Sequence, residues 1–276
     1  MSKTSSSRRP ALLIKTAVAI CGSALCVAVL LKAPLWGVCI LLSLVAGLAG
    51  YELTAATGFV KHRYLIALSV LQAVAVIWAV YFELPLAGWL LWLFCAFLLA
   101  FTPGVFSEKA ASAQEGIAAV FASFVVPGIT ALFLVLLQPD NNRYNLLIPL
   151  VAAWSGDSLA LLGGMAFGKH KLNPRISPNK TVEGFFCAIV GGVLGMVIYG
   201  LILRACGHEV SLGLYAIIGA VGAIFGAMGD LTFSSIKRSV GIKDFGKLMP
   251  EHGGILDRFD SVLFVLPVVA AVFLLA

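Results

Sequence analysis

The sequence predicts an all-α, polytopic integral membrane protein with about nine transmembrane helices and cytoplasmic loops that form a polar active-site cavity. Three observations predict it. The chain is 61% hydrophobic and only 12% charged, where a soluble domain carries roughly 25% charged residues. Its apolar residues come in runs of about 20, the length that crosses a bilayer as a helix. The runs lack the alternating pattern of a membrane barrel, so each segment must satisfy its own backbone by helical hydrogen bonds. The same composition excludes disorder, collagen and a small disulfide scaffold. The 276 residues read as one membrane domain, with scaffold helices over 1–145 and catalytic helices and cytoplasmic loops over 146–276.

In order, the spans lie near 11–31, 35–53, 65–82, 85–102, 117–138, 146–167, 185–204, 212–235 and 260–275. The stretch from Met1 to Pro10 carries Lys3, Arg8 and Arg9. No small-residue cleavage site follows the first run and more spans come after it, so it reads as a spanning helix rather than a secretory signal. With the N-terminus in the cytoplasm, nine spans place 16 Lys and Arg on one side and only Lys32, Arg143 and Arg204 on the other. That is the positive-inside bias, and it accounts for the net charge of +6 without nucleic acid. The six cysteines lie in or beside apolar runs and form no CxxC pair, so they read as packing residues. Gly164/Gly168, Gly191/Gly195 and Gly222/Gly226 have the GxxxG spacing of close helix packing, within the chain or at a dimer surface.

Half of all the charged residues fall in two windows, Asp157 to Glu183 and Asp230 to Asp260, and both windows land on the cytoplasmic side. In the second, Asp230 sits inside an apolar helical stretch about two turns before Lys237, where an acid is costly unless it is paired, hydrated or metal-bound. Asp257 and Asp260 share a helical face and Arg258 points elsewhere on the turn. Three carboxylates near Lys237, Arg238, Lys243 and Arg258 suit a magnesium–phosphate ligand, because Mg²⁺ is usually held by one or two carboxylates plus substrate phosphates. The cations neutralise the remaining phosphate charge, and Gly253-Gly254 allows close backbone approach. His252 either donates to a phosphate oxygen or anchors that glycine turn. In the first window Asp157 is again an acid in an apolar helix. Thr181 is placed to cap the helix that follows Ser177-Pro178, and Lys180 beside that N-terminus favours an anion.

These residues carry a resemblance. The run Ser234-x-Ile236-Lys237-Arg238, Lys243-Asp244-x-Gly246, Pro250-x-His252-Gly253-Gly254-Ile255-x-Asp257-Arg258-Phe259-Asp260 resembles the defining motif of CDP-diacylglycerol synthases, also called phosphatidate cytidylyltransferases. Upstream, Ile176-Ser177-Pro178-Asn179-Lys180-Thr181-Val182-Glu183-Gly184 is similar to the same family. The resemblance covers Trp154 to about Pro267. It implies transfer of a cytidylyl group from CTP to phosphatidate with release of pyrophosphate and dependence on Mg²⁺. It also implies a homodimer in the inner membrane with a cytoplasmic site. Metal-binding roles carry over to Asp230 and Asp257, with Asp260 as a third or outer ligand and space for a second cation. The catalytic set is then Asp230, Lys237, Arg238, Lys243, Asp244, His252, Asp257, Arg258 and Asp260. Asp157, Ser177, Lys180, Thr181, Glu183, Ser234, Gly253 and Gly254 form the substrate-binding set. Three positions depart from the family pattern: Phe233 stands where Glu is frequent, Glu251 where Gly is usual, and Leu161 where Tyr is frequent. Three other readings compete with this one. A lipid or polyprenol kinase would release a nucleoside diphosphate, an ion-coupled transporter would use Asp157 and Asp230 as a path, and a non-catalytic relative would only bind lipid or a partner.

Overall fold

Proline and polar caps divide the chain into helices where the apolar runs predict them. The computed structural model describes residues 22–106, 112–137, 142–246 and 253–275. Helix α1 covers Gly22–Lys32. Pro34 then opens α2 (Leu35–Tyr51), which continues into a π-helical turn, Glu52–Ala56. Helices α3 (Arg63–Tyr81), α4 (Leu86–Phe106) and α5 (Ala113–Val135) follow. A short 3₁₀ turn, Arg143–Leu147, leads into α6 (Ile148–Phe167). The remaining helices are α7 (Val182–Ala205), α8 (Leu212–Ser239) and α9 (Leu256–Leu275). Each predicted span overlaps one of these helices, although the N-terminal half of the first lies outside the described residues. Among the described residues, six helices are long and apolar enough to cross a membrane.

The main departure from an all-helical reading is small. The α6–α7 connection folds into an antiparallel hairpin, β1 (Lys171–Asn173) with β2 (Ser177–Thr181), pairing Lys171 with Thr181 and Asn173 with Ser177. The Ser177-Pro178 break reads in sequence as a loop. Three residues on one strand and five on the other are too few for an alternating pattern to show.

Helices α6, α7 and α8 approach closely because small residues meet there. A side chain on Gly192 or Gly219 would collide with the backbone of the other, and Gly195 faces Ser155. The GxxxG spacing is thus used for packing within the chain. On the outer faces, Phe186, Val190, Leu194 and Ile198 recur every fourth residue of α7 and are exposed, as are Leu161, Leu162 and Met165 of α6. A soluble surface does not carry an apolar stripe of that extent; a lipid-facing one does.

Helix direction alternates, so the connections sort to two ends. At one end Glu115, in the first turn of α5, accepts the backbone N–H of Lys61 and His62 at the start of α3. The hairpin, the C-terminus of α8 and the N-terminus of α9 gather at this end too. At the other end the Arg143 guanidinium donates to the carbonyl of Ala33, the Tyr199 hydroxyl donates to the carbonyl of Tyr144 at 2.7 Å, and Arg204 donates to the carbonyl of Val210 at 2.8 Å. Lys32, Arg143 and Arg204 therefore share the end that the charge pattern groups them on.

Candidate active site

The charged windows converge where α8 ends and α9 begins. Lys237 lies in the last turns of α8 on the buried side, and Asp257 opens α9. Their side chains are almost fully enclosed and meet at 2.6 Å. The second Asp257 oxygen accepts the backbone N–H of Phe245 at 2.8 Å and of Gly254 at 2.9 Å. The Lys237 ammonium also stands 5.3 Å from the centre of the Phe245 ring. A buried charge is tolerated when it is paired and its remaining lone pairs are satisfied, and Asp257 meets both conditions. Gly253, with φ +80, makes the sharp turn that brings the Gly254 N–H onto that carboxylate.

Asp230 and Asp260 belong to a different cluster. Asp157 from α6, Asp230 from α8 and Asp260 from α9 lie within electrostatic reach of one another, with Ser261 in hydrogen-bonding reach of Asp157. Asp260 is buried and accepts the backbone N–H of Ser261 at 2.8 Å. Asp230 is partly exposed; it accepts the Ser234 hydroxyl at 3.1 Å and pairs with the Lys180 ammonium at 2.5 Å. Lys180 arrives from β2, so the hairpin carries a cation across to the acid cluster. Asp157 and Asp230 lie within electrostatic reach of the Lys180 ammonium and Asp260 within that of Lys237, so three carboxylates from three helices face two ammonium groups, one of which already pairs with Asp257.

The sequence-predicted metal set of Asp230, Asp257 and Asp260 is accordingly not gathered into one shell. Asp257 is turned to Lys237 and two backbone amides, whereas Asp230 and Asp260 lie within electrostatic reach of Asp157. Among the described residues no three His, Cys, Asp or Glu side chains converge closely enough, as they stand, to hold one ion. The carboxylate chemistry nevertheless fits Mg²⁺, which takes one or two carboxylates and completes its shell with phosphate and water.

The other predicted residues divide by what they touch. Thr181 caps α7, its hydroxyl accepting the Gly184 N–H at 3.1 Å. Glu183 accepts the backbone N–H of Lys169 and His170 at 3.1 and 3.2 Å and meets the His170 ring at 2.6 Å, so it fastens the end of α6 to the start of α7. Arg238 donates to the carbonyls of Ile176 and Ile242 at 3.3 and 3.1 Å, tying the hairpin to α8. Ser177 is half-buried on β2, while Lys243, Asp244 and Arg258 are exposed. His252 and Glu251 lie outside the described residues.

Phe233 is buried against Phe245 and Phe264 with ring centres 6.1 and 6.2 Å away. It faces the apolar cluster under the site, so the departure from Glu at this position is absorbed as packing. Sequence reasoning missed one residue of the site region, Glu52. Its carboxylate is buried and accepts the N–H of Ile255 and Leu256, 203 and 204 residues away. The available signal was an acid inside a predicted span.

Comparison with known proteins shows the family. The family model described as "Cytidylyltransferase family" matches residues 13–276. The chain belongs to the cytidylyltransferase family. Among similar curated proteins, the phosphatidate cytidylyltransferase of Staphylococcus saprophyticus is 42% identical over 146 residues, 52% of this chain and 54% of the relative. That of Thermotoga maritima is 37% identical over 159 residues, 55% of this chain and 54% of the relative. The chain spans about half the length of the curated relatives it matches. Within the cytidylyltransferase family, then, this chain is an all-α membrane protein in which Asp157, Asp230, Asp257 and Asp260 gather at one end of the bundle.

Proposed function

We propose that this chain is a phosphatidate cytidylyltransferase of phospholipid biosynthesis, forming CDP-diacylglycerol and pyrophosphate from CTP and phosphatidate. The observation that carries the reading is that Asp157, Asp230 and Asp260, from three helices, lie within electrostatic reach of one another, with Lys180 paired to Asp230. The family match and the names of the curated relatives support it.

A phosphate oxygen of phosphatidate attacks the α-phosphorus of CTP, a new P–O bond forms, and the bond to the bridging oxygen breaks as pyrophosphate leaves in line. A phosphomonoester has a second pKa of about 6, so the nucleophile is already ionised near neutral pH and needs no strong base. The difficulty is bringing one anion to another. Mg²⁺ held by Asp230 and Asp260, with Asp157 alongside, would supply the counter-charge for the triphosphate. Lys180 can exchange Asp230 for a phosphate oxygen, and the exposed Lys243 and Arg258 add positive charge. Lys237 acts through Asp257, setting the shape of the turn that faces the nucleotide.

The lipid tails stay in the bilayer, which explains why a nucleotide-using enzyme consists of spans. The cation asymmetry supports an inner-membrane protein with its site on the cytoplasmic face. Homodimeric assembly belongs to the same proposal and is supported by the family resemblance. The test uses purified protein, labelled CTP, phosphatidate and Mg²⁺, with both products identified. CDP-diacylglycerol with pyrophosphate is expected; a nucleoside diphosphate would instead mean a lipid kinase and overturn the reading.

A further inference from the structure

Helix α2 belongs to the half of the chain that reads in sequence as scaffold, yet its end reaches the site. Glu52 begins the π-helical turn Glu52–Ala56 and is only 4% exposed. Inserted π turns re-aim side chains and occur frequently at functional sites. One Glu52 oxygen accepts the Ile255 N–H at 3.0 Å and the other accepts the Leu256 N–H at 2.8 Å. These amides are among the unsatisfied donors at the start of α9, where a carboxylate is favoured by the helix dipole. Among the described residues no Lys, Arg or His forms an ion pair with Glu52, and its hydrogen-bond partners are backbone amides.

Two glycines show how tightly the carboxylate is seated. A side chain on Gly246 or on Gly254 would collide with it. Those residues flank positions 247–253 within the connection between α8 and α9. Asp257 grips the same two flanks from the other side, through the Phe245 and Gly254 amides. The first turn of α9, which presents Asp257 and then Asp260, is therefore clamped between two buried carboxylates, one of them from α2.

We propose that Glu52 is a positioning residue for cytidylyl transfer, fixing the start of α9 and both glycine flanks so that Asp257 and Asp260 stand in register with α8. This rests on the function proposed above. Glu52 touches no substrate; it acts through the α9 turn.

The experiment compares wild type with Glu52→Gln and Glu52→Asp in detergent, measuring kcat, KM for CTP, the Mg²⁺ concentration for half activity, and hydrogen exchange of the α9 N-terminal amides. Loss of such supporting contacts costs about 10- to 100-fold in activity or metal affinity. Glu52→Gln should show that loss in kcat and a raised Mg²⁺ requirement, with KM for CTP little changed and the protein folded. Glu52→Asp, which keeps the charge and part of the hydrogen bonding, should recover some of it. Exchange at Ile255 and Leu256 should be faster in Glu52→Gln. Wild-type kcat and Mg²⁺ requirement in Glu52→Gln, or a loss that only tracks the unfolded fraction, overturns the proposal. If wild type makes no CDP-diacylglycerol, the functional reading falls. The exchange data then still decide the clamp, since unchanged protection at Ile255 and Leu256 would refute it.

Discussion

Replacing Lys237 by Met tests whether the Lys237–Asp257 pair holds the junction of α8 and α9. Met keeps the length and apolar body of the side chain and removes the charge. Asp257 would then remain buried, still holding the Phe245 and Gly254 amides but without its cation. Removing one partner of a buried pair costs about 3–5 kcal/mol. The two remaining amide bonds place this case near the low end, about 3 kcal/mol. For a chain of this size that corresponds to a fall of about 6–12 °C in Tm. Lys180→Met is the internal comparison. It breaks a pair that is 27% and 30% exposed, and exposed pairs are worth about 0–1 kcal/mol. Thermal unfolding in one detergent, followed by intrinsic fluorescence, reads both. Asp257→Asn and the double variant complete a cycle, in which the double should be less destabilised than the sum by about 2 kcal/mol, since neither charge is left unpaired. A Lys237→Met protein that melts with wild type, or strictly additive losses, would refute the reasoning.

Further outcomes follow from the same geometry. Asp230→Asn should abolish CDP-diacylglycerol formation while Tm stays close to wild type, because Asp230 is partly exposed and its contacts are with Lys180 and Ser234; near-normal activity would remove it from the proposed metal site. Gly254→Ala should sharply reduce folded yield or activity, since the added methyl meets the Glu52 carboxylate; a variant with wild-type yield and turnover would contradict that packing. Thr181→Ala should cost about 1 kcal/mol through loss of the α7 cap, read as a small fall in Tm. Because the neighbouring Lys180 is carried on the same strand, that variant should also raise KM for CTP or phosphatidate, and unchanged kinetics would separate the cap from the site.

Much of the fold was legible because lipid imposes a simple rule. Runs such as Val182 to Ala205 must be helical and long, and the start of that one is marked by Thr181. The site was legible as a pair of charged windows, because acids such as Asp157 and Asp230 are conspicuous in apolar helices. The pairing inside it was not. Spacing places Asp257 and Asp260 on one face, yet Asp257 turns to Lys237 while Asp260 joins Asp157 and Asp230. Glu52 was harder still, since its partners lie at the far end of the chain.

The sequence by itself determined the membrane, the segregation of cations and the stretches from which chemistry could come, since hydropathy and charge are properties of single residues and short runs. The tertiary structure decided which acid is paired with a buried lysine, which acids lie near one another, and that α2 reaches the start of α9. The physical reason is that hydrogen bonds and ion pairs act over about 3 Å. Only the packing of helices distant in sequence brings donors and acceptors that close.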